Sequence, residues 1–201
     1  METRTQDLDR DDGRALPSGE SDVDADLMAR FAAGDDGAFE TLLTRRRQWV
    51  LNLVYRFVGD REEAEDLAQE AFVRLYRARR RYRPTARFST FLYRLVTNLC
   101  LNETRRRQRR PTVVLEAADE VAADDSPAKT ATRRELAAQV QTALRRLPES
   151  QRLAMVLFRF EGLSQREVAE AMECSVGAVE ALLHRAGRNL RRDLQEYVEE
   201  S

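Results

Sequence analysis

Ser164 and Glu167 stand three residues apart, the spacing of a capping box that starts a helix. Ser175 can start a second helix, which leaves Glu173 and Cys174 as a tight turn between two short helices. That layout matches a DNA-reading helix-turn-helix. Val176, Val179, Leu182 and Leu183 recur at spacings of three and four and predict the buried side of the second helix. The opposite side then holds Gly177, Ala178, Glu180, Ala181, His184, Arg185 and Arg188. Small residues at 177, 178 and 181 let such a helix approach a groove closely. Arg185 and Arg188 can reach phosphates or a guanine edge, His184 a base or phosphate, and Glu180 a cytosine amino group. The same pair of helices would also serve as a plain hairpin with a solvated face.

A second chemical grouping lies upstream. Residues 74–110 carry thirteen Arg against the single acid Glu103, a local charge of +12. Tyr82, Phe88, Phe91 and Tyr93 are interleaved with Arg80, Arg81, Arg83, Arg87 and Arg94. Arg holds phosphates, and aromatic rings replace the stacking lost when a duplex opens, at about 1–3 kcal/mol per captured base. Asn98 and Asn102 are one helical turn apart and could hydrogen-bond base edges. Arg105, Arg106, Arg107, Arg109 and Arg110 extend a phosphate track. Phe88 and Leu95 fit an ordinary core equally well. A third grouping, Glu65, Asp66, Gln69 and Glu70, sets acids and an amide beside an apolar stripe of Leu67, Ala71 and Phe72. Such a face suits docking on a basic partner helix.

The elements that must position these groups are helices. Leu27, Met28 and Phe31 predict a first helix ending near Gly34, and Phe39 to Phe57 a second ending at Gly59. Ala64 to Leu75 predict a third, capped by Asp60, and Phe88 to Leu99 a fourth after the break at Pro84. Periodicity returns from Arg133 to Leu147, and again from Leu153 to Phe160, closed by Gly162. The expected fold is all-α: two small helical domains joined by a flexible linker. The expected boundaries are an acidic disordered tail at 1–22, a domain at 23–110, a linker at 111–130 and a domain at 131–201.

The 201 residues, 42% hydrophobic and 34% charged, suffice for such cores. Charges of 34 basic and 35 acidic residues nearly cancel, but they are segregated along the chain. No run approaches a membrane span, and the acidic start predicts no secretory signal. Cys100 and Cys174 form no metal-ligand or disulfide pattern, which fits a reducing cytoplasm. One His, no metal cluster and no phosphate-binding Gly loop predict a chain that is not an enzyme and needs no cofactor.

Three runs carry a family resemblance. Ala64-Glu65-Asp66-Leu67-Ala68-Gln69-Glu70-Ala71-Phe72 is similar to the core-polymerase-binding helix of extracytoplasmic-function sigma factors, in the sigma-70 family. Arg87-Phe88-Ser89-Thr90-Phe91-Leu92-Tyr93-Arg94-Leu95 with Asn98 resembles their minus-ten-reading segment. Leu147-Pro148, Gly162 to Ala169, Val176 to Val179 and His184-Arg185-Ala186 resemble their minus-35 helix-turn-helix. Phe91 stands where the family often has Trp, and Asn102 where it often has Asp.

The resemblance implies a promoter-specificity subunit that binds core RNA polymerase and promoter DNA. Polymerase would be met through Glu65, Asp66, Leu67, Gln69, Glu70 and Phe72. The minus-ten element would meet Arg80, Arg83, Arg87, Phe91, Tyr93, Arg94, Asn98, Asn102, Arg105 and Arg106. The minus-35 element would meet Ser175, Gly177, Ala178, Glu180, Ala181, His184, Arg185 and Arg188. It also implies an anti-sigma partner. A stand-alone helix-turn-helix regulator with a helical sensor domain is the other reading of the same residues.

Overall fold

The computed structural model describes residues 18–83, 87–109 and 127–199, and their regular structure is entirely helical. Helix α1 spans Ser18–Ala32, α2 Asp36–Val58, α3 Arg61–Ala78 and α4 Phe88–Arg109. After the gap come α5 (Pro127–Arg146), α6 (Glu149–Met155), a π-helical turn (Val156–Phe160), α7 (Gln165–Ala171) and α8 (Val176–Glu199).

Short polar side chains and glycines set the ends. The Asp35 carboxylate accepts from the Ala38 N–H at 3.2 Å and starts α2. Asp60 accepts from the Glu63 N–H at 2.8 Å and starts α3. Between them Gly59 closes α2 in the left-handed region, at φ 79°. The backbone favours glycine there; a Cβ would also fall 2.6 Å from Cδ of the exposed Arg145 side chain, which would have to shift. The capping box on α7 is present in full: Ser164 Oγ accepts from the Glu167 N–H, and Glu167 accepts from the Ser164 N–H at 2.9 Å.

Two boundaries differ from expectation. Helix α1 begins at Ser18, inside the stretch read as tail, and α5 begins at Pro127, inside the stretch read as linker. Proline at the first helical position costs no hydrogen bond, so Pro127 opens a helix where a linker end was expected. The rest of both stretches lies outside the described residues. Val176, expected to be buried, is 41% exposed, because it sits in the first turn of α8.

Helices α1–α4 and α5–α8 form the two expected modules, but they are docked. One apolar cluster runs through Phe31, Leu42, Phe57, Phe88 and Leu92 of the first module and Leu153, Leu157, Val168 and Val179 of the second. A satellite cluster of Leu144, Leu147, Met155 and Ala186 holds α5 on α8. Gln141 on α5 donates from Nε2 to the carbonyls of Tyr55 and Arg56, each at 3.2 Å. The Tyr55 carbonyl also accepts from the Gly59 N–H at 2.8 Å, so Gln141 adds a second donor there and ties α5 to the last turn of α2.

Candidate nucleic-acid interface

Helix α8 presents the face that its periodicity predicts only in part: of the expected buried residues Val179 is buried, Leu182 and Leu183 are half-buried and Val176 is exposed. Val179 and Ala186 are fully buried and fix the rotation of the helix. Gly177, Glu180, His184, Arg185 and Arg188 are exposed, with Ala178 and Ala181 half-buried between them. The Ser175 hydroxyl accepts from the Ala178 N–H at 3.2 Å and starts the helix. No ion pair ties His184, Arg185 or Arg188 to another described residue. A Cβ on Gly177 would meet nothing within 4 Å, so packing does not ask for glycine there. The preceding turn is tight because Glu173 takes a left-handed backbone, at φ 52°.

The basic segment divides into three sets. Arg80, Arg83 and Arg87 flank residues 84–86, which lie outside the described residues, and all three are exposed. Beside them Phe91 is half-buried, its ring centre 5.4 Å from Tyr82 and 6.3 Å from Phe88. The Tyr82 hydroxyl is buried without a described hydrogen-bond partner, and burial raises its pKa. At the far end Asn102 and Arg105 are exposed, while Arg106 is held by Glu103 through bonds of 2.7 and 2.9 Å. Arg107, Arg109 and Arg110 have no described side chains.

The middle set is occupied. Arg94 and Asn98 both donate to the Glu173 carboxylate in the turn before α8, Asn98 at 3.3 Å. These contacts hold the Glu173 carboxyl below its ordinary pKa, Arg94 contributing most. Tyr93 is buried and donates from its hydroxyl to Glu161 at 3.2 Å. Trp49 donates to the same carboxylate at 2.8 Å, and Arg56 at 3.0 Å. Glu161 is fully buried, and desolvation raises its pKa although three donors favour the anion. Its position follows from the π turn and from Gly162, whose φ of 67° turns the chain sharply after it. The half-exposed Arg94–Glu173 pair contributes about 0.2–1 kcal/mol, so buried Glu161 dominates the polar docking.

On α3, Glu65, Asp66 and Gln69 are exposed, and Glu70 is half-buried against Arg74 at 2.7 Å. Leu67 faces the core and does not reach this surface; Phe72 is nearly buried but lines a groove of about 520 Å³. Phe39, Leu43 and Leu51 of α2 line its other wall, with Val73 and Tyr76 exposed at its mouth. Glu65, Gln69, Arg47 and Arg77 stand around it. The sequence shows the polar strip but not this apolar wall, which α2 completes. Nor does it mark Trp49, Arg56, Glu161 and Glu173 as partners. Glu161, a lone acid between Phe160 and Gly162 at the end of an apolar run, is the available signal.

Among the described residues no group of three or more His, Cys, Asp or Glu could hold a metal ion, and no helix is long and apolar enough to cross a membrane. Cys100 is buried, its thiol pushed up to about 12, while Cys174 is exposed in the turn.

Residues 42–110 match the family model of Sigma-70 region 2, and residues 137–190 that of Sigma-70 region 4. The chain is 37% identical over 187 residues to the RNA polymerase sigma-H factor of Pseudomonas aeruginosa, covering 89% of this chain and 97% of that one. It is 36% identical over 175 residues to the ECF RNA polymerase sigma factor SigE of Mycolicibacterium smegmatis, covering 85% of this chain and 68% of that one. A chain in the solved structure of CnrH in complex with the cytosolic domain of CnrY matches with a TM-score of 0.65 at 27% identity, over 87% of this chain and 98% of that one.

Proposed function

This chain belongs to the extracytoplasmic-function group of the sigma-70 family, and on that premise we propose how its surfaces share the work. It is a promoter-specificity subunit that binds core RNA polymerase and directs initiation through minus-ten and minus-35 elements.

The minus-35 element is read by α8, with Ser175 and Gly177 at the groove and Arg185, Arg188 and His184 reaching bases and phosphates. The observation that carries this is the exposed, unpaired Arg185–Arg188 face on a helix whose rotation Val179 and Ala186 fix. The minus-ten element meets α4: Arg87, Arg94, Arg105 and Arg106 hold phosphates, and Asn98 and Asn102 meet base edges. Phe91, beside Tyr82, offers a ring to an unstacked base. Polymerase docks at the groove between α2 and α3, where Glu65 and Gln69 at the groove and exposed Asp66 on the same helix offer acceptors to basic groups and Phe72 backs the apolar wall.

The chemistry of RNA synthesis belongs to the polymerase, and the work is done in the cytoplasm. An anti-sigma protein covers these surfaces when the factor is idle. Support comes from the family resemblance and from the structural neighbour, which was solved bound to a second protein's cytosolic domain. Mixing the chain with core polymerase and scoring promoter-dependent transcripts tests the reading. Tight DNA binding without polymerase, and no transcripts with it, would favour the stand-alone regulator instead.

A further inference from the structure

Between Val176 and Arg192, helix α8 carries four arginines, His184 and a single acid, Glu180. The ordinary uses of an acid in a helix do not account for it. Ser175 caps α8, so a capping box would need its acid at 178, where Ala178 stands. Position 180 lies beyond the first turn, where the helix dipole no longer favours a carboxylate. The positions three and four residues away hold Val176, Gly177, Leu183 and His184, so no arginine stands at ion-pairing spacing. Glu180 is exposed and makes no hydrogen bond or ion pair with a described residue.

Its surroundings let it reach into a groove. Gly177, Ala178 and Ala181 stand around it with at most a methyl side chain, and packing does not ask for glycine at 177. The stem of Glu180 therefore extends beyond its neighbours. Seated in a groove, its carboxylate loses water and stands among phosphates, which is favourable only where it accepts from a donor. A carboxylate can do nothing but accept. In the major groove guanine offers N7 and O6, and thymine O4, all acceptors that repel it. The amino group of adenine adjoins the acceptor N7. Cytosine alone presents an amino donor with no acceptor beside it on its own edge. Arg185, whose match is guanine, follows five residues later. For a helix lying along the groove that is about 7.5 Å, or about two base-pair steps.

We propose that Glu180 selects a cytosine in the minus-35 element, about two base pairs from the guanine that Arg185 meets. Selection works by exclusion as well as attraction, since any other base sets an acceptor against the charge. The proposal rests on the reading of α8 as the minus-35 reader, and Arg185 tests that reading separately.

Holoenzyme assembled from core polymerase and the full chain is given a pool of promoters with randomised minus-35 positions, each template carrying its own barcode in the transcript. Wild type should prefer cytosine at one position by about fivefold or more over each other base. E180Q should change that position to adenine, because glutamine accepts from N6 and donates to N7, and should leave the other positions as they were. E180A should lose the preference there alone. The substituted side chain is exposed, so both variants should keep the wild-type circular dichroism. A wild-type profile without a cytosine position, or E180Q and E180A profiles identical to it, would overturn the proposal. R185A in the same pool decides the underlying reading. The guanine it loses should lie about two base pairs from the cytosine. If R185A, E180Q and E180A all leave every position unchanged, α8 is not the minus-35 reader and both readings fall. If R185A erases a guanine while E180Q and E180A change nothing, α8 remains the reader and selection by Glu180 fails.

Discussion

The two faces proposed to meet DNA are built from similar materials and stand in opposite states. On α8, Arg185 and Arg188 project from a helix made narrow by Gly177, Ala178 and Ala181, and no described acid holds them. On α4, Arg94 and Asn98 are held by Glu173 and Tyr93 by Glu161, although the surrounding segment is far more basic. Net local charge therefore does not tell whether a surface is available. What decides it is whether isolated acids, distant in sequence, are brought against it. On the proposed assignment the difference also separates two jobs: a duplex-reading face can stay open, whereas a single-strand-binding face attracts any polyanion and gains from being covered.

Glu161→Ala should break the contrast most strongly. Removing one partner of a buried ion pair typically costs 3–5 kcal/mol, and partial exposure of Arg56 places this one at about 3 kcal/mol. Urea titration followed by Trp49 emission should show the two modules coming apart first, while the fold of α7 and α8 persists. Arg185→Ala sharpens the other side. Minus-35 discrimination should fall by about 1–3 kcal/mol if the guanidinium makes a bidentate base contact. Promoters mutated at single minus-35 positions would reveal it, and an unchanged preference would remove Arg185 from the readers.

Ser164→Ala should cost α7 about 1 kcal/mol, read as a lower melting temperature. Its pH signature follows from Glu167, whose pKa is lowered chiefly by the Ser164 hydroxyl. The native state thus binds the proton less readily than the unfolded chain. The capping contribution is complete above the ordinary carboxylate pKa and is lost as pH falls through the lowered one. The Ser164→Ala penalty should therefore shrink in acid; a constant penalty would show that Glu167 is not part of it. The smallest effect is expected from Gly177→Ala. It should stabilise α8 by up to about 1 kcal/mol, since the added methyl meets open space. It should also weaken minus-35 binding; if affinity is unchanged, close approach at 177 is not needed.

The helices, caps and helix-turn-helix are legible in the sequence because they are local. Asp60, Ser164, Glu167 and Ser175 act within three residues, and spacing marks Val179 on the buried side of α8 although it misplaces Val176. The docking of the modules is not legible, because Trp49 and Glu161 are 112 residues apart and Arg94 and Glu173 are 79 apart. No periodic pattern links such pairs. The segmental charge profile points to the donors on α4, but single acids at 161 and 173 leave no mark on it. The positions read as polymerase-binding divide in the structure: Glu65 and Gln69 line the groove, whereas Leu67, on the same helix, turns into the core.

The Trp49–Glu161 separation also sets a clock. Chains are synthesised at about 5–20 residues per second, so roughly 6–20 s pass between the making of Trp49 and that of Glu161. Helix α4 ends at Arg109, 52 residues before Glu161, so for about 3–10 s of that interval the nascent N-terminal module has its α4 but neither Glu161 nor Glu173 to pair with it. The contacts of Tyr93, Arg94 and Asn98 with the C-terminal module can form only after Glu161 and Glu173 have been made.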